Sequence, residues 1–311
     1  MKDITIEELA ALEEAAYGIR QLSTQMVCEG QWGHLGGSYS ITDILAALYF
    51  GAARINPEIP EWNDRDYIVL SKAHCSPALY AALALKGFFD PDKLHTYGTF
   101  NGLEGHLDVL HTPGVECSGG SLGLGLSFCV GIAGALKLQE RYEQRVYCIL
   151  GDGELCEGQV WEAVMAASQQ KLDNLIAIID YNKVMAKGFL YQEISHDPLD
   201  QRFRSFGWDV IEIDGHDFQE INQAFYAAKY LHMLGRPICI IAHTVKGKGV
   251  GECEFNYRWH THAPNEGKAN YFLQCLSERY RKPCSSIGHP IKQGGQELIN
   301  LVQGELSDEV L

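Results

Sequence analysis

Residues 146–184 read VYCILGDGELCEGQVWEAVMAASQQKLDNLIAIIDYNKV. An apolar run, Val146 to Leu150, meets Gly151-Asp152-Gly153; a helical pattern, Gly158 to Gln170, follows; a second apolar run, Leu175 to Asp180, ends at Tyr181-Asn182. Short continuous apolar runs mark strands buried on both faces. One crossover helix between two such strands makes them parallel. Both turns then open at the carboxyl ends of their strands, the edge where open α/β sheets bind ligands. Asp152 and Asn182 can therefore converge. A carboxylate, an amide oxygen and a main-chain carbonyl such as that of Val184 make an oxygen-rich site for a hard cation, and Mg²⁺ usually shares such a site with substrate phosphates. Gly153 lets the main chain approach a phosphate, and the helix N-terminus beyond it favours an anion. A Gly-Asp-Gly by itself is an ordinary turn; the companion Asn at the end of the next strand is what gives it meaning. The stretch is no dinucleotide fingerprint, because the third glycine arrives at 158, two residues late, and no Walker sequence occurs.

The same rhythm extends outward. Further buried strands are expected at Tyr67–Leu70, Trp208–Ile213 and Pro237–His243, and helical patterns at Ser76–Lys86, Ser121–Gln144 and Asp217–Leu234, with Asp217 as N-cap. Alternation of this kind predicts an α/β fold, three layers with a central parallel sheet and helices on both faces. No repeat or linker divides the chain. One domain is expected over 1–280, and residues 281–311, which lose the rhythm and carry Gly, Pro and Ser, read as a tail or docking extension.

Composition narrows the function. The chain has 311 residues, 46% apolar and 21% charged, enough for a substantial core. Its net charge is −15 with scattered basic residues, so the footprint of a nucleic-acid binder is missing. The longest apolar stretch, Leu122 to Leu136, is short and broken by glycines, and the acidic, amphipathic N-terminus is no signal peptide; neither a membrane partner nor export is expected. Ten cysteines without a Cys-x-x-Cys pair read as reduced thiols of a cytoplasmic protein, Cys75 and Cys156 among them as packing residues.

Gly-Asp-Gly closing about thirty residues later with Asn resembles the thiamine diphosphate signature. The wording of the stretch is similar to that of the transketolases. Further motifs extend the likeness: GHLGGSYSITDILAALY (33–49), LSKAHCSPALYAAL (70–83), EGHLD (104–108), ECSGGSLGLGLSFCVGIAGALK (116–137), TVKGKGV (244–250) and WHTHAPN (259–265). The resemblance implies a thiamine diphosphate-binding fold and transfer of a two-carbon ketol unit from a ketose phosphate, or a related anionic ketose, to an aldose. It covers only the first half of a full-length transketolase. The implied protein is thus an N-terminal subunit whose partner, a C-terminal subunit carrying the pyrimidine-binding domain, completes a heterotetramer acting on small sugar phosphates.

Residue by residue, the resemblance implies that Asp152, Asn182 and the Val184 carbonyl ligate Mg²⁺ (or Ca²⁺). Gly153, His74 and His260 would contact the diphosphate, and Gly120, Ser121 and Leu122 would line the cofactor. His34, His74, His106 and His260 match the active-site histidines, with His34 and His106 the donors to substrate hydroxyls; a near-neutral pKa suits that work. Glu157 corresponds to a carboxylate that links sites across subunits, or is a solvated first-turn glutamate. Departures also occur. Lys187 stands where the family carries an acid, either changing the preferred anion, as for a sulfonated sugar, or lying on the surface. Gly119, Leu124 and Thr261 replace the usual Thr, Gln and Gly. Two other readings stand beside the first: the thiamine-dependent α-subunit of a 2-oxoacid dehydrogenase, and a non-catalytic scaffolding subunit. The histidines and the TVKGKG to WHTHAPN ending favour transketolase, with specialisation for a sulfonated or branched sugar phosphate as the variant reading.

Overall fold

The computed structural model describes residues 3–231 and 235–281. Apart from Arg281 the expected tail lies outside the described residues, as does the end of the helix expected at 217–234. In chain order the elements are α1 (Ile6–Gly30), α2 (Leu35–Ala47), β1 (Tyr67–Leu70), α3 (Ser76–Lys86), α4 (Leu124–Leu138), β2 (Val146–Gly151) and α5 (Gly158–Gln169). Then follow β3 (Leu175–Tyr181), α6 (Leu190–Glu193), α7 (Leu199–Ser205), β4 (Asp209–Asp214), α8 (Phe218–Leu231), β5 (Ile238–His243) and α9 (Glu266–Tyr280). All five expected strands are present, each within one residue of its expected ends.

The sheet is wholly parallel in the order β1-β2-β3-β5-β4. Successive side chains of a strand point to opposite faces, and here each face buries its own core. Ile68, Ile149, Ile178 and Ile240 join α1, α2, α3, α8 and α9 on one side. Val69, Cys148, Ile179 and Ile241 join α4, α5 and α7 on the other. That double burial is why the strands read as unbroken apolar runs, and it confirms the three-layer expectation. No helix among the described residues is long and apolar enough to cross a membrane.

One expected helix is shorter than its sequence reading, and at α1, α2, α6, α7 and α9 no helix is expected from sequence. The helix expected over Ser121–Gln144 is α4, Leu124–Leu138. It cannot start earlier because Gly123 is left-handed at φ 89°, and it stops before Glu140, which takes φ 59°. The sequence reading assigns no helix to α2 or α9, although α9 buries Ala269, Phe272, Leu273 and Leu276 at helical spacing. Every residue of α2 is buried, so the polar stripe that reveals a surface helix is missing. Asp217 caps α8 as expected, accepting from the Gln219 and Glu220 N–H groups at 2.8 and 3.2 Å. On its outer side α4 leaves Leu124, Phe128 and Leu138 exposed, beside the exposed Met165 of α5.

Candidate active site

The carboxyl ends of β1, β2, β3 and β5 each deliver a charged or polar group to one edge of the sheet. Register does the positioning: Gly151 pairs with Asp180, and the Asp152 N–H donates to the Asp180 carbonyl at 3.3 Å, so the turns after β2 and β3 lie side by side. The Asp152 carboxylate then accepts from the Gly153 N–H at 2.7 Å and from the Lys183 N–H, between Asn182 and Val184. The expected convergence of Asp152, Asn182 and Val184 is thus seen in hydrogen bonds. Asn182 Oδ1 accepts from the Val184 N–H at 3.0 Å, while its Nδ2 donates to Asp180 at 3.0 Å, which fixes which end of the amide is oxygen.

Asp180 is the buried post beneath this corner. Its carboxylate takes an ion pair from Lys72, at the end of β1, and hydroxyl donors from Ser40 at 2.6 Å and from Thr244, just past β5. Lys72 also donates to the Gly37 carbonyl at 3.1 Å. Four segments remote in sequence are pinned at one point. Sequence reasoning quoted the motifs containing Lys72 and Thr244 but gave neither a role, because a buried ion pair leaves no periodic trace.

The histidines gather beside it. His34 caps the start of α2 without using its side chain on the helix. Its ring centroid lies 5.1 Å from that of His74 and 5.2 Å from that of His260, and the latter two are 5.1 Å apart. His106 stands farther out, 6.4 Å from His34. Lys246 joins the two corners: its ammonium donates to the Val184 and Met185 carbonyls at 2.9 and 3.1 Å and to His260 Nδ1 at 3.0 Å. A His260 ring that accepts at Nδ1 carries its proton on Nε2. Like Lys72, Lys246 was not singled out from sequence.

The SGGSLG turn closes the site on another side. A Cβ on Gly120 would stand 3.9 Å from the His106 ring, while Ser121 is exposed and Leu122 half-buried. Buried Glu154 ties this turn to the others, accepting from the Gly123 N–H at 2.8 Å, the Gly151 N–H at 3.1 Å and the Ser71 hydroxyl at 2.5 Å. Glu157 is not brought to the histidines; it is exposed and lies against Gly123 at the start of α4. Lys187 is exposed at the tip of a turn closed by the Met185 N–H on the Gly188 carbonyl at 2.8 Å. Cys75 is buried as expected, but Cys156 is exposed, its Sγ 3.5 Å from His196 Nε2, because the short turn before α5 carries it outward.

Burial sets the electrostatics. It pushes the Asp152 carboxyl up to about 6, with the Asp180 charge adding to the rise. Burial lowers His34 to about 4 and His260 to about 3, and holds His74 well below its usual value, with neighbouring lysines and histidines reinforcing it. These three rings are neutral at pH 7. Burial also lowers Lys246 to about 8, so it remains charged. Asp152 is 3% exposed and has no ion-pair partner among the described residues. A buried carboxylate with two main-chain donors but no ion-pair partner, beside an amide oxygen and a main-chain carbonyl shared with Lys246, fits a hard divalent cation.

A pH dependence follows. Below 6.5 the unfolded chain protonates these three histidines while the fold refuses the protons, which destabilises the fold; Asp152 runs the other way, the fold taking a proton near 6 that the unfolded chain takes only near 3.8. Burial raises Glu154 and Asp66 as well, but His196 is lowered and Asp43 and Asp180 are held below their usual values. Groups that refuse protons in the fold thus outnumber those that take them, and stability falls with acidification, by about 1.4 kcal/mol per pH unit for each net proton. Melting temperatures of the metal-free chain should drop between pH 6.5 and 4.5. His260→Asn should make that slope shallower, and a flat profile in the parent chain would contradict the account.

Comparison with known proteins matches this architecture. The family described as transketolase, thiamine diphosphate binding domain, matches residues 12–269. The chain is 44% identical to the 6-deoxy-6-sulfo-D-fructose transketolase subunit of Clostridium sp. (strain MSTE9), over 80% of this chain and 90% of that protein. It is 37% identical to an apulose-4-phosphate transketolase subunit of Phocaeicola vulgatus, over 88% of this chain and 97% of that one. Among solved structures, transketolase from Campylobacter jejuni superposes with a TM-score of 0.81 at 32% identity, covering 96% of this chain but 48% of its own. The site therefore sits on a thiamine diphosphate-binding α/β domain. The chain belongs to the transketolase family and spans about half the length of that full-length structure.

Proposed function

We propose that this chain is the N-terminal, thiamine diphosphate- and Mg²⁺-binding subunit of a split transketolase, moving a two-carbon ketol unit from an anionic ketose to an aldose. The observation that carries the reading is the junction at Lys246, which joins the histidine triangle to the Asp152, Asn182 and Val184 corner. Two similar proteins named as subunits of transketolases for 6-deoxy-6-sulfo-D-fructose and for apulose-4-phosphate support a specialised ketose as donor. Free cysteines throughout the described residues suit a cytoplasmic protein. Residues 1–280 form the cofactor-binding domain in this reading, with 281–311 as an extension.

Bound thiamine diphosphate would supply the nucleophilic carbon and the electron sink for carbon–carbon cleavage. Asp152, Asn182 Oδ1 and the Val184 carbonyl would hold the cation that neutralises its diphosphate, while Gly153, His74 and His260 would border the diphosphate and Gly120, Ser121 and Leu122 would line the cofactor. Neutral His34, together with His106, donates to or accepts from sugar hydroxyls, and His260 presents its proton on Nε2. Fixing these groups on strand ends and on α2 removes their rotational freedom before the sugar arrives. The missing half of the site comes from a C-terminal subunit, two copies of each making a heterotetramer. Glu157 and the exposed apolar side of α4 lie at the surface such a partner would cover.

The test is calorimetric titration of thiamine diphosphate into this chain, with and without Mg²⁺ and with and without the co-expressed C-terminal subunit. Metal-dependent binding that tightens at least about tenfold with the partner is expected, a gain of about 1.4 kcal/mol. No binding in any combination would overturn the reading.

A further inference from the structure

Trp32 belongs to none of the groups that a metal or a diphosphate needs, yet it stands among the histidines. Its ring is edge-on to His34 at 5.2 Å and to His106 at 5.6 Å, and it leans on Tyr97 at 6.0 Å. The loop carrying His106 closes flat against it: a Cβ on Gly105 would come 2.1 Å from the indole, so only glycine admits the ring there. Trp32 nevertheless remains 40% exposed. Its indole N–H also has no acceptor among the described residues, whereas Trp161 and Trp208 each donate to a main-chain carbonyl at 2.9 Å.

An aromatic ring braced by Tyr97 and the Gly105 main chain, part of it exposed and flanked by two hydrogen-bonding rings, matches a sugar. Carbohydrate carbon chains present a weakly apolar C–H face and a polar hydroxyl edge, and binding sites meet them with an aromatic surface and a few placed polar groups. We infer that Trp32 is a substrate-binding residue: its exposed face packs on the C–H face of the ketose while His34 and His106 address the hydroxyls. This rests on the transketolase reading and deepens it. Trp32 contacts the carbon skeleton and is indifferent to the terminal anion.

The experiment uses the two-subunit assembly loaded with thiamine diphosphate and Mg²⁺, with D-fructose 6-phosphate and 6-deoxy-6-sulfo-D-fructose as donor probes. Trp32→Ala should raise KM for the accepted donor about tenfold, by the same factor for both sugars if both are used, and leave kcat within about threefold. Trp32→Phe should restore most of the loss. Affinity for thiamine diphosphate should be unchanged in both variants, and the indole fluorescence change on adding donor should shrink in Trp32→Phe. Normal KM in Trp32→Ala, or cofactor affinity falling along with KM, overturns the inference alone. A wild-type assembly that binds no cofactor overturns the transketolase reading itself and this inference with it.

Discussion

Asp152→Ala is expected to abolish metal-dependent binding of thiamine diphosphate, weakening it at least a hundredfold, about 2.7 kcal/mol. Asn182 and Val184 offer neutral oxygens, so Asp152 is the one anionic ligand of the proposed set, and affinity for a hard cation follows ligand charge. The same substitution should do little to the metal-free fold. At pH 7 the ionised carboxylate is an unfavourable buried charge, as its raised pKa of about 6 shows, and losing it offsets the loss of an acceptor for the Gly153 and Lys183 N–H groups. Calorimetry with Mg²⁺ and a thermal melt without it separate the two effects. Metal-dependent binding that survives in Asp152→Ala would move the cation elsewhere, and a large drop in the metal-free melting temperature would make Asp152 a structural residue.

Removing Asp180 should have the largest effect on stability. Lys72 is 2% exposed, and its ammonium is held up chiefly by Asp180, with Cys75 and Asp152 adding, against the burial that would lower it. Stripping one partner from a buried pair costs about 3–5 kcal/mol. Asp180→Ala also releases the Asn182 amide and the Ser40 and Thr244 hydroxyls, so the corner at Asp152 and Asn182 loses its orientation along with the fold its stability. The double variant Lys72→Met with Asp180→Leu should regain much of the stability in urea denaturation, since apolar side chains tolerate that site, yet bind metal and cofactor poorly. Equal stability of Asp180→Ala and the parent chain would refute the arrangement. So would full cofactor affinity in the double variant.

The contrast between these two aspartates shows what a sequence can reveal. Asp152 sits in a turn between an apolar run and a helix, so its place at the ligand edge follows from strand periodicity alone. Asp180 lies one residue from a strand end and reads as that strand's last member; its partners come from residues 40, 72 and 244 and become neighbours only through the fold. Strand positions were legible because burial on both faces removes the polar half of the alternation. The same completeness of burial hid α2. Resemblance of motifs placed His34, His74 and His260 in the site, and the structure brings those three together, but the lysine linking them to the corner at Asp152 and Asn182 carries no local signature.

Around the site three carboxylates, Asp152, Glu154 and Asp180, are buried with two ammoniums, Lys72 and Lys246, among neutral histidines. The interior is thus one negative charge in excess. A bare diphosphate entering alone would add roughly two or three negative charges to that excess, whereas a divalent ion arriving with it would cancel two of them. Cation and cofactor must then each relieve the other's desolvation cost, each tightening the other by the same factor. Under the proposed function, the ion and the cofactor would load together, and depletion of either would weaken retention of the other.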